Sequence, residues 1–157
     1  MIHEIRLKYD EFDSLEECPI LIRELYDMAH QAGEKAYAPY SEFKVGVALE
    51  LADGSRYSAS NQENAAYPSG LCAERIALFY VNALKPDVAV KTMVLAASDK
   101  NGPIHFPAYP CGACRQVMME SEDRGGLPIQ IWMIGSKKIH KVDSTEVLLP
   151  LKFSFNY

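Results

Sequence analysis

Three cysteines and a glutamate stand in two short motifs of this chain, Cys72-Ala73-Glu74 and Pro110-Cys111-Gly112-Ala113-Cys114. The thiols are soft metal ligands, and the carboxylate need not bind metal at all. Zinc in a catalytic site takes three protein ligands and keeps its fourth position open for water. Bound water then ionises near pH ~7 instead of near ~15.7, which yields a nucleophile at neutral pH. A carboxylate two residues from one ligand is placed to move that water's proton. A closed structural site would need a fourth protein ligand instead. The candidates are Cys18, His105 and His140, and none stands at ligand spacing from the others.

Such a site needs helix starts to hold it. Cys72 and Cys111 both fall where a loop passes into an expected helix. A helix N-terminus carries a positive partial charge and free N–H groups, so it favours thiolate over thiol. Cys111 and Cys114 are three apart and share one side of a first helical turn. Three thiolates around one Zn2+ leave an excess negative charge. Arg75, beside Glu74, and Arg115, beside Cys114, are placed to draw off that charge through hydrogen bonds to sulfur. The alternative leaves both arginines as solvated surface residues.

Around these motifs the chain punctuates itself clearly. Leu21, Leu25, Met28 and Ala32 step by four, three and four after Pro19, one face of an amphipathic helix. That helix must stop near Pro39, because a residue before proline is pushed out of helical space. Residues 2–8 alternate as a short edge strand or an ordered arm would. Residues 43–51 read as a buried strand, Asp53-Gly54 as a hairpin turn, and residues 56–59 as its partner strand. A polar loop covers residues 61–70. Cys72, Ile76, Phe79 and Ala83 then mark a second helix, followed by a strand over 92–97 and a loop over 99–109. A third helix runs from about Cys111 to Gly125-Gly126. Strands over 129–134 and 138–142 follow, with a helical turn at 145–149. Strands alternating with helices predict a central sheet covered on both faces, and the hairpins make it mixed.

Composition sets the outer bounds. A chain of 157 residues suffices for one domain, expected over 1–157, with residues 1–18 an N-terminal extension of unknown role. Apolar residues make up 48% and charged residues 24%, as in an ordinary globular protein. The formal net charge of −5 weighs against nucleic acid, whose partners present a basic face. The first residues mix charge with apolar side chains, unlike an export signal. No apolar run reaches the ~18 residues of a membrane helix. A cytoplasmic protein is therefore expected, with neither nucleic acid nor membrane as partner. Without an export signal, the four cysteines are not expected to pair as disulfides. Cys18, in Glu16-Glu17-Cys18-Pro19, reads as a free or half-buried thiol.

Taken together, the motifs resemble the small, three-cysteine, zinc-dependent cytidine deaminases of pyrimidine salvage, within the cytidine and deoxycytidylate deaminase family. The zinc blocks are Cys72-Ala73-Glu74-Arg75 and Pro110-Cys111-Gly112-Ala113-Cys114-Arg115-Gln116. Ala36-Tyr37-Ala38-Pro39-Tyr40-Ser41, with Phe43, Val45 and Gly46, resembles the family's first block. Asn61-Gln62-Glu63-Asn64-Ala65-Ala66-Tyr67-Pro68 resembles its nucleoside-binding block, and Leu148-Leu149-Pro150 with Phe153 its C-terminal signature. The segment before the first helix lies outside the resemblance, and Ser121 stands where many members have an aromatic residue.

The resemblance implies a three-layer α/β/α sandwich with a five-stranded mixed sheet. It implies one zinc per chain, held by Cys72, Cys111 and Cys114, and a homotetramer with shared active sites. The substrate class is a pyrimidine nucleoside, and the reaction is hydrolytic deamination of cytidine and deoxycytidine to uridine and deoxyuridine. Glu74 would take the proton of the activated water, pass it to N3 of the base and later protonate the leaving ammonia. The Ala73 N–H would meet the O2 carbonyl, and Asn61 and Glu63 would hold a ribose hydroxyl. Phe43 would stack on the pyrimidine, while Tyr67 and Phe153 would reach a neighbouring subunit's site. Taken alone, Phe43 reads first as a core residue and residues 61–64 as a polar turn, while Tyr67 and Phe153 read equally as packing residues.

Three other readings remain open at this level. A zinc deaminase of the same build can act on a free base or a modified nucleoside. A nucleic-acid editing module would need basic and aromatic strand-binding surfaces, which the acidic balance disfavours. A zinc scaffold without catalysis is disfavoured by the intact Glu74.

Overall fold

The computed structural model describes residues 1–155. In chain order it contains β1 (Asp10–Phe12), α1 (Ile20–Glu34), β2 (Lys44–Leu51), β3 (Arg56–Ser60), α2 (Ala73–Leu84) and β4 (Val90–Asp99). β5 (Gly102–Pro103), α3 (Gly112–Gly125), β6 (Gln130–Ile134) and β7 (Ile139–Val142) complete the set. Single 3-10 turns lie at Leu15–Glu17, Tyr67–Ser69 and Thr145–Val147.

The strands form one sheet in the order β1-β7-β6-β4-β2-β3, with β5 paired to the end of β4. Only β4 and β6 run parallel, joined by the crossover through α3. All other pairs are antiparallel, so the sheet is mixed, as expected. It holds seven strands rather than five. The two additions, β1 and β5, are three and two residues long, too short to leave a periodic signal in sequence. No strand forms over residues 2–8; pairing begins only at Asp10.

Alternation along the central strands shows why their apolar runs are nearly unbroken. Val47, Leu49, Met93, Leu95, Ile131 and Met133 face a core shared with α2 and α3. Their chain neighbours Ala48, Val94, Ala96, Trp132 and Ile134 face a second core shared with α1. Both sheet faces are covered, which gives the three-layer α/β/α sandwich.

Both early helices sit rotated from their expected faces. α1 buries Ile22, Leu25, Ala29 and Gly33, one position on from Leu21, Met28 and Ala32. Small residues explain the rotation. A Cβ on Gly46 of β2 would fall 1.8 Å from the Ala29 carbonyl oxygen and 2.6 Å from the Gly33 nitrogen. Backbone lies directly on backbone there, and only glycine fits. α2 buries Ala73, Glu74, Ala77, Leu78 and Val81 and turns Phe79 outward, 50% exposed. Cys18 is a free thiol, as expected, but is buried in the α1-side core against which Phe12 and Leu15 also pack, more enclosed than half-buried.

Candidate active site

Cys72 is the N-cap of α2 and Cys111 the N-cap of α3, both extended before their helices turn. Cys114 follows in the first turn of α3 and is buried, while Cys111 is exposed. The three sulfurs all lie within 4.8 Å of one another. Cys72 and Cys111 Sγ are 3.9 Å apart, and Cys111 and Cys114 Sγ 3.4 Å. Tetrahedral zinc with ~2.3 Å bonds to sulfur needs ligand atoms roughly 3.8 Å apart. The donor set therefore fits zinc in chemistry and in spacing. Among the described residues, no fourth His, Cys, Asp or Glu joins this group. His105 bonds Ser136, His140 bonds Tyr109 and Glu11, and Cys18 lies in the other core.

The electrostatics of the bare thiol cluster show what a cation would replace. Hydrogen bonding from Cys114 pulls the Cys72 thiol well below its usual range, with Arg75 and Cys111 adding to it against burial. The same bond with Cys72, together with burial, pushes Cys114 up. One sulfur thus holds negative charge at the expense of its neighbour, and a dication at the centre would stabilise all three as thiolates. Arg75 reaches Cys72 Sγ with Nη2 at 3.9 Å. Arg115 points elsewhere. Its Nε donates to the Pro110 carbonyl at 2.8 Å and its Nη1 to the Leu148 carbonyl at 3.0 Å, so it braces the Cys111 loop against the C-terminal segment.

Glu74 sits in the first turn of α2 with 5% of its surface exposed. Burial holds its carboxyl above the ordinary carboxylate range, and the Cys72 charge pushes the same way. A carboxyl so raised both takes and returns protons readily.

A cavity of about 450 Å³ opens beside Cys72, lined among others by Tyr40, Ser41, Asn61, Glu63, Tyr67 and Arg75. Its size suits a small organic ligand such as a nucleoside. Glu63 accepts from the Tyr40 N–H at 2.9 Å, from the Ser41 N–H at 3.3 Å and from the Ser41 hydroxyl. These donors, the hydroxyl first, hold its carboxyl below the usual range. The Asn61 carboxamide accepts from Val45 N–H at 2.8 Å and donates to the Phe43 carbonyl at 3.0 Å. That leaves one Nδ2 hydrogen and one Oδ1 lone pair for another partner.

Of the other expected contacts, Ala73 is fully buried at the start of α2, and Tyr67 is 75% exposed with its ring 5.9 Å from that of Tyr40. Phe43 is 36% exposed and outside the cavity lining. The Phe153 ring, also outside the lining, packs edge-on to Phe155, and its carbonyl accepts from Gln116 Nε2 at 3.1 Å. Sequence reasoning did not single out Ser41 as a partner. Its one local trace is a serine two residues before the amide it caps, since Ser41 Oγ also accepts from Phe43 N–H at 3.0 Å.

The model of a family described as "Cytidine and deoxycytidylate deaminase zinc-binding region" matches residues 21–125, the larger part of the chain. The chain belongs to this family. Within the family of cytidine and deoxycytidylate deaminases it is 39% identical, over 110 residues, to a cytidine deaminase of Sporosarcina psychrophila, covering 70% of this chain and 76% of that one. It is 48% identical, over 94 residues, to a cytidine deaminase of Halalkalibacterium halodurans, covering 59% of this chain and 65% of the relative. Among solved structures, a cytidine deaminase from Burkholderia pseudomallei superimposes with a TM-score of 0.71 at 36% identity, covering 83% of this chain and 98% of that one. The deaminase match begins inside α1, so β1 and the first turn lie outside it.

Proposed function

We propose that this chain is a zinc-dependent hydrolase that converts cytidine and deoxycytidine, with water, to uridine or deoxyuridine and ammonia. The observation that carries the reading is a cluster of three sulfurs with the buried Glu74 carboxyl against Cys114 and a nucleoside-sized cavity opening at Cys72. Family membership and the cytidine deaminase relatives support it. Cys72, Cys111 and Cys114 would hold one zinc per chain, which when bound supplies a water that ionises near neutral pH.

The chain's own residues do the rest. Glu74 accepts a proton and delivers it to N3 of the base, which makes C4 electrophilic. Water oxygen adds at C4, and Glu74 takes the remaining proton of that oxygen and passes it to the amino group, so that the C4–N4 bond breaks, ammonia leaves and the C4 carbonyl of uridine forms. The Ala73 N–H, in the first turn of α2 where helix N–H groups lack an intrahelical partner, would bind O2 of the pyrimidine. Asn61, with its remaining donor and acceptor, and Glu63 bind the 3′-hydroxyl, and Phe43 stacks on the base. Arg75 moderates the charge on Cys72, and Arg115 acts on the cluster through the loop it braces.

We infer a homotetramer in which Tyr67 and Phe153 face a neighbour's site. Both are largely exposed in the single chain, as are Phe79 and Tyr80 of α2, and the burial of such large apolar side chains against a second copy would support assembly. Among the described residues no helix is long and apolar enough to cross a membrane. A cytoplasmic role in pyrimidine salvage fits the substrate. An ultraviolet assay with cytidine, deoxycytidine, cytosine and adenosine side by side tests the reading. Turnover of the two cytidine nucleosides is expected, and cytosine or adenosine as the better substrate would overturn it.

A further inference from the structure

β1 is the outer strand beside β7, and Glu11 stands directly opposite His140. Glu11 Oε2 lies 2.9 Å from His140 Nε2, and His140 Nδ1 lies 2.7 Å from the Tyr109 hydroxyl. A carboxylate only accepts, so Nε2 carries the hydrogen. Nδ1 shares the second hydrogen bond with the phenol, which can act as donor or acceptor there. Tyr9, just before β1, lays its ring 4.8 Å from that of His140. The imidazole is thereby held at both nitrogens and over one face, with 12% of its side chain exposed.

Tyr109 immediately precedes Pro110-Cys111. The loop bearing Cys111 is held from one side by this chain of bonds and from the other by Arg115 on the Pro110 carbonyl. Cys111 is also the exposed member of the sulfur cluster, where Cys114 is buried and Cys72 intermediate. Packing therefore fixes Cys111 least, and something else must hold its sulfur to the fraction of an ångström that a metal ligand requires.

We propose that Glu11, His140 and Tyr109 form a positioning relay through which the N-terminal strand fixes the Cys111 loop. The N-terminal segment is thus part of the active-site framework, supplied by residues outside the matched deaminase region. The proposal rests on the reading of Cys111 as a zinc ligand. Partners that orient a metal ligand change metal affinity by about 10- to 100-fold when removed. The relay acts one step further out, so a smaller effect of about 3- to 10-fold is expected.

The test compares the full-length wild type with Tyr109→Phe, Glu11→Gln, the double variant, and Asp10→Asn. The last removes the Asp10–Lys141 ion pair of the same strand without touching the relay. Zinc transfer to a chelator, amide exchange at residues 111–114 in metal-free protein, and kcat and KM are measured on each. Tyr109→Phe and Glu11→Gln should each release zinc about 3- to 10-fold faster and lower kcat by a similar factor, with KM within about twofold. The double variant should be no worse than either single one, and Asp10→Asn should match the wild type. Wild-type release and exchange in Tyr109→Phe would overturn the relay. So would an Asp10→Asn protein as impaired as Tyr109→Phe, since general strand anchoring would then explain both. A wild type that binds no zinc would remove the functional reading instead. The relay would still be judged by exchange: faster at 111–114 in Tyr109→Phe supports it, and unchanged exchange overturns it.

Discussion

Ser41 and Glu63, 22 residues apart in sequence, close one wall of the cavity: hydroxyl and amide of the serine both donate to the carboxylate. The same hydroxyl caps the amide of Phe43, so the proposed sugar contact and the proposed base contact share one anchor. Ser41→Ala should therefore loosen both. With one hydrogen bond worth roughly 1 kcal/mol, KM for cytidine should rise about fivefold while zinc content stays at the wild-type level. Steady-state kinetics with metal analysis checks this; an unchanged KM would show that Glu63 needs no such anchor.

The clasp should also respond to acid. The native carboxyl of Glu63 is held below its ordinary value of 4.5. Its contribution is therefore present above the unfolded value and is lost as pH falls through the lower native one. Melting temperatures of wild type and Ser41→Ala, followed from pH 7 downward, should converge once the carboxyl is protonated in both states. A gap that persists at the acid end would mean that the serine stabilises by something other than this carboxylate.

Glu74→Gln keeps the shape of the side chain and removes its ability to accept a proton. The variant should retain zinc and fold yet lose about 10²- to 10⁴-fold in kcat, at the upper end because the residue acts in more than one step. Single-turnover assays on metal-loaded protein measure it, and a tenth of wild-type turnover would contradict the role.

Cys114→Ala should abolish stoichiometric zinc. The removed ligand is fully buried, so no solvent-exposed group nearby can take its place easily. Elemental analysis of the purified variant is the readout, and full occupancy would be incompatible with the three-sulfur site.

Gly46→Ala tests the contact that seats α1 on the sheet. Its Cβ would land 1.8 Å from the Ala29 carbonyl oxygen, and backbone cannot step aside as a side chain end can. Overpacking of this kind costs about 3 kcal/mol or more, which lowers Tm by about 10 °C in a chain of this size. A thermal melt within a degree or two of wild type would show that the helix can ride outward.

What could be read from sequence was what sequence spacing itself encodes. Cys72, Glu74, Cys111 and Cys114 lie in short runs at helix starts, where local geometry nearly determines where each side chain points. The strands of the central sheet were legible because both faces are buried and their apolar runs are long. β1 and β5 escaped because two or three residues carry no period. The faces of α1 and α2 were misjudged for another reason. Ala29, Gly33 and Ala77 look like gaps in an apolar stripe, yet smallness is what lets the helices approach the sheet, while the large Phe79 faces out. The Ser41–Glu63 clasp and the contact of Arg115 with the Leu148 carbonyl are long-range, and nothing in their immediate neighbours announces them.

The placement of β1 has a consequence for solubility as well. A sheet with an open side offers unpaired N–H and C=O groups to any extended chain that meets it. β7 would be that open side were β1 not laid along it, and β7 carries the apolar Ile139 and Val142 at its ends. β1 is short and contributes Asp10 and Glu11 as charged side chains, both tied to lysines of the next strand or its turn. It terminates hydrogen bonding with a brief acidic margin that a second molecule cannot readily extend. The N-terminal residues thus make this edge of the sheet a poor template for a further strand, with β3 the other edge.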